Sequence, residues 1–173
     1  MIIEMREDRS YSVRNYVYLL FRIKINIMAL NIGDKVPEIL GKDQNGKEVR
    51  TSDFKGRKIA LYFYPKDNTP GCTAEACSLK DGYEELRKAG YEVIGVSKDN
   101  EKSHRNFIEK QSLPFTLIAD TDTSLNQAFG VWALKKMAGR EYMGTVRTTF
   151  IIDEKGVIEN LSLIHISEPT RLG

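Results

Sequence analysis

Between Lys58 and Tyr64 the chain reads Lys-Ile-Ala-Leu-Tyr-Phe-Tyr, a nearly continuous apolar run that Pro65 stops. Such a run, bounded by a breaker, predicts a strand buried on both faces. A strand of that kind belongs at the centre of a sheet covered by other layers. The rest of the punctuation agrees. Tyr91–Ser97 and Phe115–Ala119 are two more strand-like runs, and Asn45-Gly46 between Glu38–Leu40 and Glu48–Val49 is a hairpin-turn signal. Residues 72–89 place Ala76, Leu79, Tyr83 and Leu86 near helical spacing and stop at Gly90. Asp99 or Asn100 can cap a second helix running to about Gln111 with Phe107 and Ile108 inward. A short helix over Leu125–Phe129 and a hairpin of Val146–Ile152 with Val157–Glu159 complete the pattern. Strand, helix, strand, helix, strand and hairpin is an α/β layered sandwich with a mixed central sheet.

Charge and composition narrow the function classes. The chain has 173 residues, 41% hydrophobic and 29% charged, the composition of one globular domain. Residues 1–27 carry five basic and three acidic side chains and residues 161–173 one of each, leaving 20 of each sign between them. A neutral body offers no basic stripe for nucleic acid or anionic lipid. No stretch approaches the length of an apolar membrane span. Two cysteines exclude both a disulfide-dense scaffold and a four-cysteine zinc site. The ends differ from the middle. Acids at the start and a short apolar run, Tyr16–Phe21, do not make a signal peptide. Residues 1–27 are therefore read as a leader of doubtful origin, with Met28 opening the domain. Ser162–Arg171 resembles a translated sequencing adapter, so 161–173 is read as an artefactual tail and His165 as without function.

Active sites on such sheets favour the carboxyl ends of central strands, where the next helix begins. There the chain reads Pro65-Lys66-Asp67-Asn68-Thr69-Pro70-Gly71-Cys72-Thr73-Ala74-Glu75-Ala76-Cys77. Cys72 falls in the first helical turn, where free N–H groups and the helix dipole favour an anion and hence the reactive thiolate. The bland alternative is a small buried hydrophobe. Cys77 sharpens the reading. Five helical residues give about 7.5 Å of rise and a Cα separation of about 8.7 Å, beyond the roughly 7 Å limit of a disulfide. The two sulfurs can bond only if the first turns unwind, coupling redox state to local unfolding. The spacing also departs from the Cys-x-x-Cys of dithiol exchangers.

Pro65-x-x-x-Thr69-x-x-Cys72 resembles the active-site signature of the peroxiredoxins, and a cysteine five residues on is similar to their peroxiredoxin Q, or bacterioferritin comigratory protein, branch. The resemblance spans about 30–160, including Ile32–Pro37, Tyr62–Asp67 and Val146–Asp153. It implies a thioredoxin-like fold and thiol peroxidase activity. Cys72 would be the peroxidatic nucleophile, becoming a sulfenic acid. Thr69 and the Cys72 N–H would hold the peroxide. Arg147, on a later strand, would stabilise the thiolate and the charge on the breaking O–O bond. Pro65 would wall off water, and Glu75 would orient the arginine or simply favour the helix start. Cys77 would resolve the sulfenic acid to an intramolecular disulfide, reduced by thioredoxin. No cofactor is implied, because sulfur carries both electrons.

The same resemblance implies a monomer, and the need for a reductant implies a cytoplasmic location. A dithiol-disulfide oxidoreductase and a non-catalytic thioredoxin-fold binding module remain the alternatives. His104, in a polar run, is read as a solvated helix position, and Trp132 as core or pocket wall. Residues 134–143 are read as a connection whose basic cluster is exposed. No metal-ligand spacing links the cysteines and histidines. The family continues past Val157-Ile158-Glu159 with more strand and a closing helix, which the suspect tail replaces. Uncovered apolar side chains worth about 1.5–3 kcal/mol each, against a margin of about 5–15 kcal/mol, predict a destabilised, aggregation-prone polypeptide.

Overall fold

The first two strands form a hairpin: β1 (Ile39–Lys42) pairs antiparallel with β2 (Glu48–Arg50). Asn45-Gly46 makes the turn, with Gly46 at φ 78°, a left-handed conformation that favours glycine. The computed structural model describes residues 29–162. The readings of residues 1–27 as a leader, of Met28 as a beginning and of 163–173 as a tail that replaces the family's closing helix lie outside the described residues.

β3 (Lys58–Phe63), β4 (Tyr91–Ser97) and β5 (Thr116–Ala119) are parallel neighbours, with Leu61 opposite Ile94 and Val96 opposite Ile118. β8 (Thr148–Ile152) joins the other side of β3 antiparallel, with Leu61 opposite Phe150, and β9 (Ile158–Ser162) forms the edge. The sheet order is β5-β4-β3-β8-β9, the mixed sheet that the sequence pattern predicts. Leu161 and Ser162, the first residues of the suspect tail, pair with Phe150 and Thr149 as part of β9.

The period of two in β3 divides the core. Ile59, Leu61 and Phe63 enter a cluster with Leu40, Val49, Leu125, Phe129 and Phe150. Ala60, Tyr62 and Tyr64 point the other way, into a cluster with Cys72, Ala76, Tyr83, Phe107 and Leu117. Every β3 residue after Lys58 is buried, because helices cover one face and the hairpin with α4 (Ser124–Ala128) covers the other. On the helical face lie α1 (Pro70–Asp81), α2 (Tyr83–Lys88) and α3 (Glu101–Gln111). No helix among the described residues is long and apolar enough to cross a membrane.

Four expectations are corrected. Residues 72–89 are not one helix: α1 stops at Gly82, the cap of both α1 and α2. A glycine there loses most backbone freedom in a helix interior and marks the cheapest place to bend. Residues 134–143 are not a mere connection. They form a ribbon of β6 (Trp132–Met137) and β7 (Arg140–Thr145), with Leu134 opposite Met143. In that ribbon Lys136 and Arg140 are exposed as expected, but Lys135 is half-buried and its Nζ donates to the Thr145 carbonyl at 2.7 Å. His104 is not solvated. It is fully buried, one helical turn before Phe107 on the inward face of α3. The cap of α3 is Asn100, whose side chain accepts from the Ser103 N–H.

Candidate active site

The loop from Pro65 to Thr69 carries the chain from β3 into α1. Asn68 adopts φ 57°, a left-handed turn that a short polar side chain tolerates, and Thr69 follows in an extended conformation as the N-cap. Pro70 occupies the first helical position, where its missing N–H costs nothing. The first backbone bond of the helix runs from the Thr73 N–H to the Thr69 carbonyl at 2.8 Å. The N–H groups of Gly71 and Cys72 therefore precede the helical ladder, at the positive end of the dipole.

Cys72 is 1% exposed and unpaired with another sulfur. Its Sγ accepts from Arg147 Nη2 at 3.0 Å, and Arg147 Nη1 donates to Glu75 Oε2 at 2.6 Å. One guanidinium thus bridges the thiol and the carboxylate, using the two-armed geometry that a lysine lacks. Arg147 does not sit on a strand, as expected from sequence, but in the short link between β7 and β8. Burial pushes the Glu75 carboxyl above its ordinary range, and the adjacent guanidinium pulls it back. Burial likewise pushes the Tyr62 and Tyr64 phenols well up, keeping both neutral behind Cys72. Lys135 is a further cation near the site. Its burial, then the charge of Arg147, lowers its ammonium, while Cys72 acts in the opposite direction.

Of the residues expected at the site, Cys72, Arg147 and Glu75 meet directly. Thr69 caps the same helix, its hydroxyl donating to the Lys66 carbonyl at 3.0 Å, which leaves its lone pairs free to accept from a peroxide O–H. Pro65 is half-buried at the strand end. Cys77 is half-buried in α1, where its thiol donates to Gln111 Oε1 at 3.7 Å, a weak bond. Trp132 is half-buried on β6, with Lys98 Nζ 5.9 Å from its ring centroid. Gly71 permits the closest approach in the site. A methyl group there would lie 3.0 Å from Arg147 Nη2, so Gly71→Ala is expected to push the guanidinium off Sγ. The expected cost is about tenfold in the rate of peroxide reduction, given what one such donor contributes; an unchanged rate would show that the guanidinium yields freely.

Sequence reading missed Asp67 and His104. Asp67 Oδ1 accepts from the Tyr64 hydroxyl at 2.7 Å, and Oδ2 pairs with His104 Nδ1 at 2.8 Å and accepts from Ser103 Oγ at 2.7 Å. Helical spacing to Phe107 is the signal that could have turned His104 inward.

A buried thiol under an arginine, at the first turn of a helix leaving a central strand, defines a site for nucleophilic sulfur chemistry on a thioredoxin-like scaffold. The AhpC/TSA family model matches residues 32–161. Peroxiredoxin Bcp of Bacillus subtilis is 49% identical over 129 residues, covering 75% of this chain and 82% of its own. Peroxiredoxin Bcp of Escherichia coli K12 is 44% identical over 132 residues, 76% of this chain and 85% of its own. A solved structure of Xanthomonas campestris bacterioferritin comigratory protein, reported for its alkyl peroxide reduction activity, is 36% identical with a TM-score of 0.66. It covers 70% of this chain and 77% of that one. The chain belongs to the AhpC/TSA family, among its Bcp and peroxiredoxin Q members. Its activity is that of a thiol peroxidase, which takes a hydroperoxide as substrate and a thiol as reductant.

Proposed function

We propose that Cys72 is the peroxidatic nucleophile and Cys77 the resolving thiol. The observation that carries this is the Arg147 Nη2 donor 3.0 Å from the buried Cys72 sulfur. The Cys72 thiolate attacks one peroxide oxygen: the S–O bond forms, the O–O bond breaks, and the leaving oxygen departs with a proton as water or alcohol. Arg147 neutralises charge on sulfur before attack and on oxygen during it. Thr69 and the Cys72 N–H hold the peroxide in line, Pro65 excludes water, and Glu75 orients the guanidinium. Cys77 then attacks the sulfenic sulfur, forming the S–S bond and releasing water. On an intact α1 the two Cα atoms are about 8.7 Å apart, so resolution requires the first turns of the helix to open.

Thioredoxin is the proposed reductant, by exchange with this disulfide. Both hydrogen peroxide and organic hydroperoxides are proposed as substrates; the alkyl peroxide activity reported for the Xanthomonas relative supports the second class. The enzyme is proposed to act as a cytoplasmic monomer in redox homeostasis.

Intact mass, acid-quenched within seconds of one equivalent of hydrogen peroxide, tests the scheme. The reduced protein is expected to lose two hydrogens, and Cys77→Ser to gain one oxygen instead. An unchanged mass would mean that Cys72 is not activated. Addition of oxygen to the unmodified protein would remove Cys77 as resolver.

A further inference from the structure

We propose that His104 is a positioning residue for peroxide reduction, acting through Asp67 to hold the loop that delivers Thr69 and Cys72. The inference rests on Cys72 being the nucleophile. His104 is fully buried and the Asp67 side chain is 2% exposed. Both ring nitrogens of His104 face acceptors, Asp67 Oδ2 at 2.8 Å and the Ile118 carbonyl of β5 at 3.1 Å. Asp67 is held from several elements at once. Tyr64 at the end of β3 donates to Oδ1, Ser103 of α3 donates to Oδ2, and the Asp67 N–H donates to Asp99 Oδ2 at 2.8 Å. Asp99 in turn accepts from the Ser97 hydroxyl at the end of β4. Burial raises the Asp67 carboxyl, but His104, Tyr64 and Ser103 outweigh it and hold the carboxyl below its ordinary range.

A buried carboxylate and imidazole need a reason, because a buried polar pair is a poor source of stability compared with apolar packing. Its strength is directional precision. The next residue, Asn68, turns the chain at φ 57°, a left-handed conformation that its short polar side chain tolerates. Thr69 follows, and its hydroxyl donates back to Lys66, the neighbour of Asp67 on the other side. Asp67 is therefore the fixed point from which the loop turns into α1. Releasing it frees the turn at Asn68 and carries Thr69 and the Cys72 N–H away from the line of attack. The sulfur would still lie near Arg147, which hangs from another part of the chain. A displacement of about 1 Å can cost up to a hundredfold in rate.

Two reagents separate positioning from stability. Attack on hydrogen peroxide needs Thr69 and the Cys72 N–H aligned, whereas alkylation by iodoacetamide needs only a reactive thiolate. In the full chain, His104→Leu is expected to lower the peroxide rate constant by about tenfold or more. Alkylation of Cys72, read by peptide mass, is expected not to fall. His104→Asn, which returns one donor toward Asp67, is expected to recover most of the loss. Adding Asp67→Asn to His104→Leu should cost nothing further if the two act as a unit. Near-UV circular dichroism selects folded variants; should His104→Leu fail to fold, the isosteric Asp67→Asn carries the same comparison. A peroxide rate within about twofold of the unmodified protein, or rates falling together for both reagents, overturns the proposal. Cys72→Ser run alongside keeps the two readings apart. If it still reacts rapidly with peroxide, the nucleophile has been misassigned; if it is inert while His104→Leu is undiminished, positioning fails alone.

Discussion

Cys72→Ser is expected to abolish peroxide reduction, lowering the rate constant by roughly a thousandfold or more, as loss of a covalent nucleophile does elsewhere. A serine hydroxyl stays protonated at neutral pH and, among the described residues, has no histidine base beside it: His104 is occupied by Asp67 and Ile118. The fold should survive, because the smaller oxygen occupies the same buried pocket and can still accept from Arg147. Peroxide consumption driven by dithiothreitol measures the rate, and circular dichroism checks the fold. Retention of the fast reaction in Cys72→Ser, with its loss in Cys77→Ser, would reverse the two roles.

Arg147→Met should be nearly as damaging to the chemistry and worse for stability. It removes the donor to Cys72 Sγ, an interaction of the kind worth about 100- to 1,000-fold in rate. It also strands Glu75, whose side chain is only 10% exposed, without its partner. Arg147→Lys keeps the charge, but a single ammonium cannot span both the sulfur and the carboxylate as Nη2 and Nη1 do. It should therefore recover only part of the rate. Glu75→Gln retains an acceptor for the guanidinium and should lose less than Arg147→Met. A peroxide rate for Arg147→Met within a few-fold of the unmodified protein would show that the helix terminus suffices to activate the thiol.

Much of this architecture is legible in the residues. β3 and β4 announce themselves because both faces are covered, so the apolar run is uninterrupted and its ends are sharp. Cys72 is legible because a Thr-Pro-Gly sequence starts a helix and because sulfur is scarce in the chain. The break at Gly82 is less visible, since Tyr83 and Leu86 continue an acceptable helical spacing across it. The β6–β7 ribbon hides because half of its residues are exposed and it mixes lysines with leucine and methionine, giving no alternation to count. His104 misleads for another reason. Its neighbours Lys102, Arg105 and Asn106 are polar, and a buried polar side chain is disfavoured unless a specific partner exists.

That difference marks the boundary between the two sources of information. Local chemistry determined the strands of the central sheet, the helix start and the placing of Cys72 and Thr69, because hydrophobic period, capping and turn preferences act over a few residues. Only the tertiary structure decided the partners. Arg147 lies 75 positions from Cys72, and His104 lies 37 from Asp67. Whether such groups meet depends on how β8 and α3 pack against β3, which no local pattern encodes. A polar side chain is stable in the interior only where the fold brings its counterpart within hydrogen-bond reach.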